Sequence, residues 1–172
     1  MTTTTPENPY VDPLNETKIW IEKCLPNPED KDFHTQFGVF CEEVYETLTE
    51  LSAIDTGTLI LVANAEKAMR QLAQHLKGES GRIFVQESNR QDFLDGLCDV
   101  VVTAVTSSHT QGLNIVDAMC EVNRANFSKF VDGKPIFDAN GKVAKGPNYV
   151  KADLSNSVGT CPFTCVLRTE SS

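Results

Sequence analysis

The chain contains no run of about 20 consecutive apolar residues, so it offers no helical membrane span. Its start, Met1-Thr2-Thr3-Thr4-Thr5-Pro6, has no basic region followed by an apolar one, so no secretory signal is expected. No Gly-x4-Gly-Lys-Ser/Thr loop is present, which excludes a P-loop phosphate cradle. Its three histidines, His34, His75 and His109, are dispersed and read as surface or packing residues, and no Ser or Cys has a His partner by local signature. No run of alternating β-branched residues appears before position 130, and no internal repeat is visible. The expectation is a soluble cytoplasmic protein with a helical body.

What is present fits that expectation. The 172 residues are 40% hydrophobic and 23% charged, enough for one sizeable core. Net charge is −9, which disfavours binding to a nucleic-acid polymer. The charge is uneven, because Arg124 to Lys151 carries six cations against Asp132 and Asp138. A basic segment on an acidic body suggests a small anionic partner. Six cysteines are expected as reduced thiols, and the Cys161-x3-Cys165 pair lacks the further ligands zinc would need.

Residues 1–13 read as a loose Thr- and Pro-rich arm, 14–153 as one all-α domain and 154–172 as a tail. Leu14 to Leu25 forms a first helix, stopped at Pro26-Asn27-Pro28. Phe33, Phe37, Phe40, Val44, Leu48 and Leu51 make the apolar stripe of a second, capped by Asp30 or Asp32. A third spans Thr56 to Leu76 with Val62, Ala65, Met69, Leu72 and Leu76 as its stripe, and Gly78 stops it. Ser88-Asn89-Arg90-Gln91 opens a fourth helix to Ser108, and a fifth runs from Asn114 to Phe130. Asn140-Gly141 between short apolar runs signals a hairpin. The fold class is therefore a bundle of four to five helices with a short C-terminal hairpin extension.

The chemistry lies in carboxylates. On the second helix Glu42 and Glu46 lie about 40° apart and Glu43 about 60° from Glu46, so three carboxylates project from one side. The fourth helix is apolar round most of its circumference, as a helix buried in a bundle would be. Asp92, Asp95 and Asp99 nevertheless share about 60° of it. Stacked like charges destabilise a helix, and burying them costs more; a divalent cation removes both penalties. An oxygen-only donor set suits Mg²⁺, with Mn²⁺ as substitute. On the fifth helix the stripe Ile115, Ala118, Val122 turns polar at Asn126 and Lys129, as a helix lining a cleft does. With no nucleophile–base pair, metal-assisted hydrolysis is the natural reaction class.

These residues resemble the all-α nucleoside triphosphate pyrophosphohydrolases, the group of MazG, dimeric dUTPases and phosphoribosyl-ATP pyrophosphohydrolase. Glu42-Glu43-x-x-Glu46 matches the family's first acidic element, and Asp99 before Val100-Val101-Val102 matches its later Asp. Gly96 stands where the family has Glu; Asp95 looks like the substitute, with Asp92 beside it. Glu121-Val122-Asn123-Arg124-Ala125-Asn126-Phe127-Ser128-Lys129 resembles the Glu-Val-x-Arg-x-Asn-x-Ser-Lys segment of MazG-like enzymes, phage-encoded forms included.

The resemblance implies Mg²⁺-dependent cleavage of a (deoxy)nucleoside triphosphate, such as the purine dGTP, to monophosphate and pyrophosphate. It implies a homodimer or homotetramer in a bacterial or phage-infected cytoplasm. Glu42, Glu43, Glu46, Asp95 and Asp99 would hold metal, with Glu42 or Glu46 orienting the attacking water. Asn126, Lys129, Arg124, Asn123, Lys142 and Lys145 would bind substrate. Two alternatives are a helical oligomer that sequesters nucleotides without turnover and one that is purely structural.

Overall fold

A computed structural model describes residues 12–78, 81–138 and 142–160. Most of the expected arm, the Asn140-Gly141 turn and the Cys161/Cys165 end of the tail lie outside the described residues. Helices are the only extended regular elements among those described: α1 Pro13–Cys24, α2 Asp30–Thr49, α3 Thr56–Lys77, α4 Arg90–Thr110 and α5 Ile115–Phe127. The protein is all-α. None of these helices is long and apolar enough to cross a membrane. Two compact units emerge, Asn27–Phe93 and the described residues on either side of it.

In the Asn27–Phe93 unit, α2 and α3 form an antiparallel pair. Glu29 stands at the N-cap of α2, and its amide donates to Asp32 Oδ2 at 2.7 Å, so Asp32 closes the first turn from inside the helix. Asp55 caps α3 by accepting from the Thr58 amide at 2.8 Å. The seam between the helices sets the small residues Gly38, Cys41 and Ala73 beside two larger side chains. His34, Gly38 and Cys41 of α2 are buried, as are Ala73 and Leu76 of α3. A Cβ at Gly38 would stand 2.8 Å from Lys77 Cγ and 3.1 Å from the Ala73 carbonyl oxygen, so only glycine lets the backbones come this close.

The buried seam thus runs one residue beside the expected stripe. Phe33, Phe37 and Phe40 stay half-buried and pack on one another at centroid distances of 5.5–6.1 Å. Met69 and Leu72, expected in the core, are 37% and 40% exposed. Close backbone approach selects small side chains, and that selection outweighs the size of the aromatic stripe.

In the other unit α1 packs against α5, and α5 touches a 3₁₀ turn at Ser155–Ser157. Asp12 caps α1, accepting from the Leu14 and Asn15 amides. The buried carboxamide of Asn123, 1% exposed, donates to the Pro13 carbonyl at 2.7 Å and accepts from Thr17 Oγ1 at 2.9 Å. Trp20 of α1 stacks on Phe130, with centroids 6.4 Å apart. Helix α5 ends at Phe127, three residues before the expected Phe130. There Ser128 Oγ turns back to the Ala125 carbonyl at 2.7 Å.

Beyond α5 the chain makes two bridged turns. Val131 pairs with Lys134 across Asp132 and Gly133, whose φ values of 49° and 74° are those of a tight hairpin turn. Phe137 pairs with Val143, so the flanks of the expected hairpin do meet.

Helix α4 departs from its expected burial: none of its residues is buried. Leu94 is 62% exposed, Val101 46% and Val102 59%. Among the described residues its apolar circumference is only partly covered, which is the physical reason the expectation fails.

Leu76→Ala should lower the unfolding free energy by about 2–5 kcal/mol. Leu72→Ala, one turn earlier and part-exposed, should cost clearly less. Chemical denaturation of the two variants checks the position of the seam.

Candidate functional site

The first acidic element lies within the Asn27–Phe93 unit. Glu42 Oε1 meets Lys77 Nζ at 2.6 Å, with both side chains about 30% exposed, so one carboxylate of the set already has a cation from α3. Arg70, also on α3, pairs with Glu66, lies 4.7 Å from the Tyr45 ring centroid and feels the charge of Glu46. Glu43 is exposed and makes no ion pair among the described residues. Repulsion along α2 is therefore relieved in part by α3 cations, a role the sequence reading had given to a metal.

Asp95 and Asp99 lie on α4, exposed, and their carboxylates have no partner among the described residues. A Cβ at Gly96 would meet nothing within 4 Å. Among the described residues no group of three or more His, Cys, Asp or Glu stands close enough together to hold a metal ion. The five acids are oxygen donors of the kind Mg²⁺ takes, three of them in the Asn27–Phe93 unit and Asp95 and Asp99 in the other.

The basic element is different, because the structure does gather it. Lys129 Nζ donates to Asn126 Oδ1 at 2.7 Å and stands 5.6 Å from the Trp20 ring centroid. The Gly146 amide donates to the Lys129 carbonyl at 3.1 Å, and a Cβ at Gly146 would lie 2.7 Å from that oxygen. This tight contact folds the segment bearing Lys142 and Lys145 back beside the end of α5. Burial lowers the Lys129 pKa below the usual lysine value, and the neighbouring charges of Lys142 and Lys145 lower it further. Lys145 also lies over the Tyr149 ring, 4.8 Å from its centroid. None of the three lysines has a carboxylate partner within salt-bridge distance among the described residues. Three neighbouring cations outside salt-bridge contact with any carboxylate among the described residues, one of them partly desolvated, form a place where an anion is favoured.

Two nominated substrate residues are used by the fold. Asn123 is the buried tie between α1 and α5. Arg124 forks onto Glu121 at 2.6 and 2.7 Å and reaches the Lys151 carbonyl at 3.1 Å. Glu121 also accepts the Asp153 amide at 2.9 Å, while Ser128 Oγ bonds to the Val150 backbone. One face of the Glu121–Lys129 segment therefore straps down residues 150–153, and the other presents Asn126 and Lys129.

Trp20 and Cys24, four residues apart on one face of α1, complete the surroundings of Lys129, and the sequence reading did not include them. Burial raises the Cys24 pKa, and Lys129 opposes that rise. Trp20 Nε1 is buried with no hydrogen-bond partner among the described residues. The only linear signal was their i, i+4 spacing. No family model, no curated protein and no solved structure matches this chain.

The Glu121 strap is pH-sensitive in a calculable direction. Hydrogen bonds from Arg124 and the Asp153 amide lower its pKa to about 2. Its contribution is present above the ordinary carboxylate range and is lost as pH falls through that range toward about 2. Glu121→Gln should flatten this part of the acid-unfolding curve, read by circular dichroism during acid titration.

Proposed function

We propose that the protein is a nucleoside triphosphate pyrophosphohydrolase, cleaving a (d)NTP to monophosphate and pyrophosphate. The observation that carries this reading is the convergence of Lys129, Lys142 and Lys145 with Asn126. Such a cluster suits the clustered negative oxygens of a polyphosphate better than a single carboxylate ligand. The acidic residues of α2 and α4 support it through their donor chemistry. Mg²⁺, with Mn²⁺ as substitute, is the proposed cofactor; when bound it would neutralise phosphate charge and lower the pKa of water. Because no three carboxylates converge among the described residues, no step is derived through it.

In this reading, Lys129 and Asn126 grip the phosphates that leave as pyrophosphate. A desolvated ammonium interacts more strongly with developing charge than one in water, so the contact gains strength as the bond breaks. Lys142 and Lys145 approach from the hairpin side. The assembly proposed is a homodimer or homotetramer, to which the uncovered apolar residues of α4 lend support. The nucleotide pool it would act on is cytoplasmic, in keeping with the free thiols of Cys24, Cys41, Cys98 and Cys120.

One observation favours a second reading. Glu42 is already paired with Lys77, and the acids gather no metal-sized group, which suits nucleotide binding without turnover.

Incubation with the eight common (d)NTPs and Mg²⁺ should give monophosphate and pyrophosphate from at least one. Binding without products would favour the second reading, and diphosphate with inorganic phosphate as primary products would overturn the first. Lys129→Ala should lower kcat/KM about ten- to a hundredfold, the worth of a charge-assisted hydrogen bond. A destabilised variant with unchanged kinetics would remove Lys129 from the site.

Sedimentation velocity tests the assembly. Val102→Lys, at a position 59% exposed in the single chain, should leave helicity intact while dissociating the oligomer. A wild-type chain that sediments as a monomer at micromolar concentration would remove the oligomer from the proposal.

A further inference from the structure

A second recessed feature, wholly inside the Asn27–Phe93 unit, is absent from the site described above. It is a cleft of about 580 Å³ between the N-terminal half of α2, the extended residues 83–86 and the start of α4. That volume falls within the usual range for small-molecule sites. Its walls are aromatic. Phe33 and Phe37 pack against Phe93 at 6.0 and 6.2 Å, while Phe84 is 81% exposed, with ring surface open to solvent. Planar ligands stack on such surfaces.

The polar groups in this apolar cleft are few. Asn89 uses its Oδ1 to accept from Ser88 Oγ at 2.9 Å, and its side-chain nitrogen Nδ2 makes no hydrogen bond among the described residues. Asp92, three residues on, also lines the cleft, and its carboxylate has no hydrogen-bond or salt-bridge partner among the described residues. Because Asp92 and Asn89 lie at i and i−3 where the 3₁₀ turn enters α4, they occupy neighbouring positions on that entry.

We infer that this cleft binds a guanine base, with Asp92 reading its Watson–Crick edge. An ionised carboxylate only accepts hydrogen bonds. Guanine offers two adjacent N–H donors, N1–H and the 2-amino group, which a carboxylate takes as a bidentate pair. Adenine and cytosine set an acceptor nitrogen beside their single amino group. Uracil and thymine place one N–H between two carbonyls. All four therefore bring a lone pair against the carboxylate. The Asn89 amide nitrogen supplies the donor that guanine O6 requires.

The inference concerns the Asn27–Phe93 unit by itself and goes beyond the proposed function: it assigns a guanine nucleotide to this cleft as ligand. Base recognition has its own readout. Isothermal calorimetry with the full chain should find GMP bound about ten- to a hundredfold tighter than IMP, which lacks only the 2-amino group. AMP and CMP should bind more weakly than GMP. Asp92→Asn should reverse the order in favour of XMP, because a carboxamide donates to the C2 carbonyl and still accepts from N1–H. Equal GMP and IMP affinities in the wild type would overturn the inference without needing any variant. So would an Asp92→Asn protein, intact by circular dichroism, that keeps the wild-type ranking. Guanine preference reversed by Asp92→Asn, with no triphosphate hydrolysed, would keep the base site and remove the hydrolase reading. Turnover of triphosphates to pyrophosphate without base preference would do the opposite.

Discussion

The arrangement around Lys129 depends on one buried carboxamide. Asn123 has 1% of its surface exposed, and an amide buried that deeply is costly unless bonded. Its partners are the Pro13 carbonyl and the Thr17 hydroxyl, both on the first turns of α1. Those bonds require α1 to lie along α5 in one register. The register in turn sets Trp20 and Cys24 beside Lys129, and the burial they help create lowers its pKa. Replacing Asn123 with an apolar residue of similar size would leave the Pro13 carbonyl and the Thr17 hydroxyl bonded only to each other within α1, with no polar tie to α5. The consequence would reach the lysine cluster although Asn123 touches none of its cations.

The end of α5 shows how one short segment serves structure and chemistry together. Glu121, Arg124 and Ser128 repeat at three- and four-residue spacing and take up the backbone of residues 150–153. Asn126 and Lys129 fall between those positions and face another way. The strap brings the chain back past the helix end, and Gly146, where a Cβ would strike the Lys129 carbonyl, permits the close return. The lysines can therefore stand near one another despite their repulsion. Backbone contacts, rather than salt bridges, hold the turn that carries two of them. Mutual repulsion is an energy an incoming polyanion relieves, so the cluster is disposed to bind before any contact with a base is made.

Much of this fold was legible because helix signals are local. Five helices stand where periodicity, Pro26 and Pro28, and Gly78 put them, with ends shifted by a few residues. The Asn126–Lys129 pairing followed from spacing of three on one stripe. What was not legible depended on distance across the fold. Nothing in the linear pattern around Glu42 announces Lys77, 35 residues away, as its partner. The aromatic stripe of α2 looked like the core because burial scales with size. The backbone approach at Gly38 instead buried the neighbouring row of His34, Gly38 and Cys41. Arg124 and Asn123 looked like ligand-binding groups because polarity in a motif does not distinguish a residue that binds from one that fastens.

Helix α4 carries two opposing demands. Six of its positions from Leu94 to Val105 are large apolar residues more than a third exposed, and each covered one would contribute roughly half of the ~1.5–3 kcal/mol that burying a fully exposed side chain gives. Asp95 and Asp99 interrupt that surface and could be buried only with a counter-charge. A covering surface that satisfies the valines and leucines must therefore leave the aspartates in water or bring a cation to them. A second copy that brought only apolar contacts would favour the first solution, whereas a cation drawn in with a nucleotide would permit the second. The two solutions differ in whether association and nucleotide binding are linked. Metal-dependent association would mean that the aspartates enter the covered surface; metal-independent association would leave them at its edge.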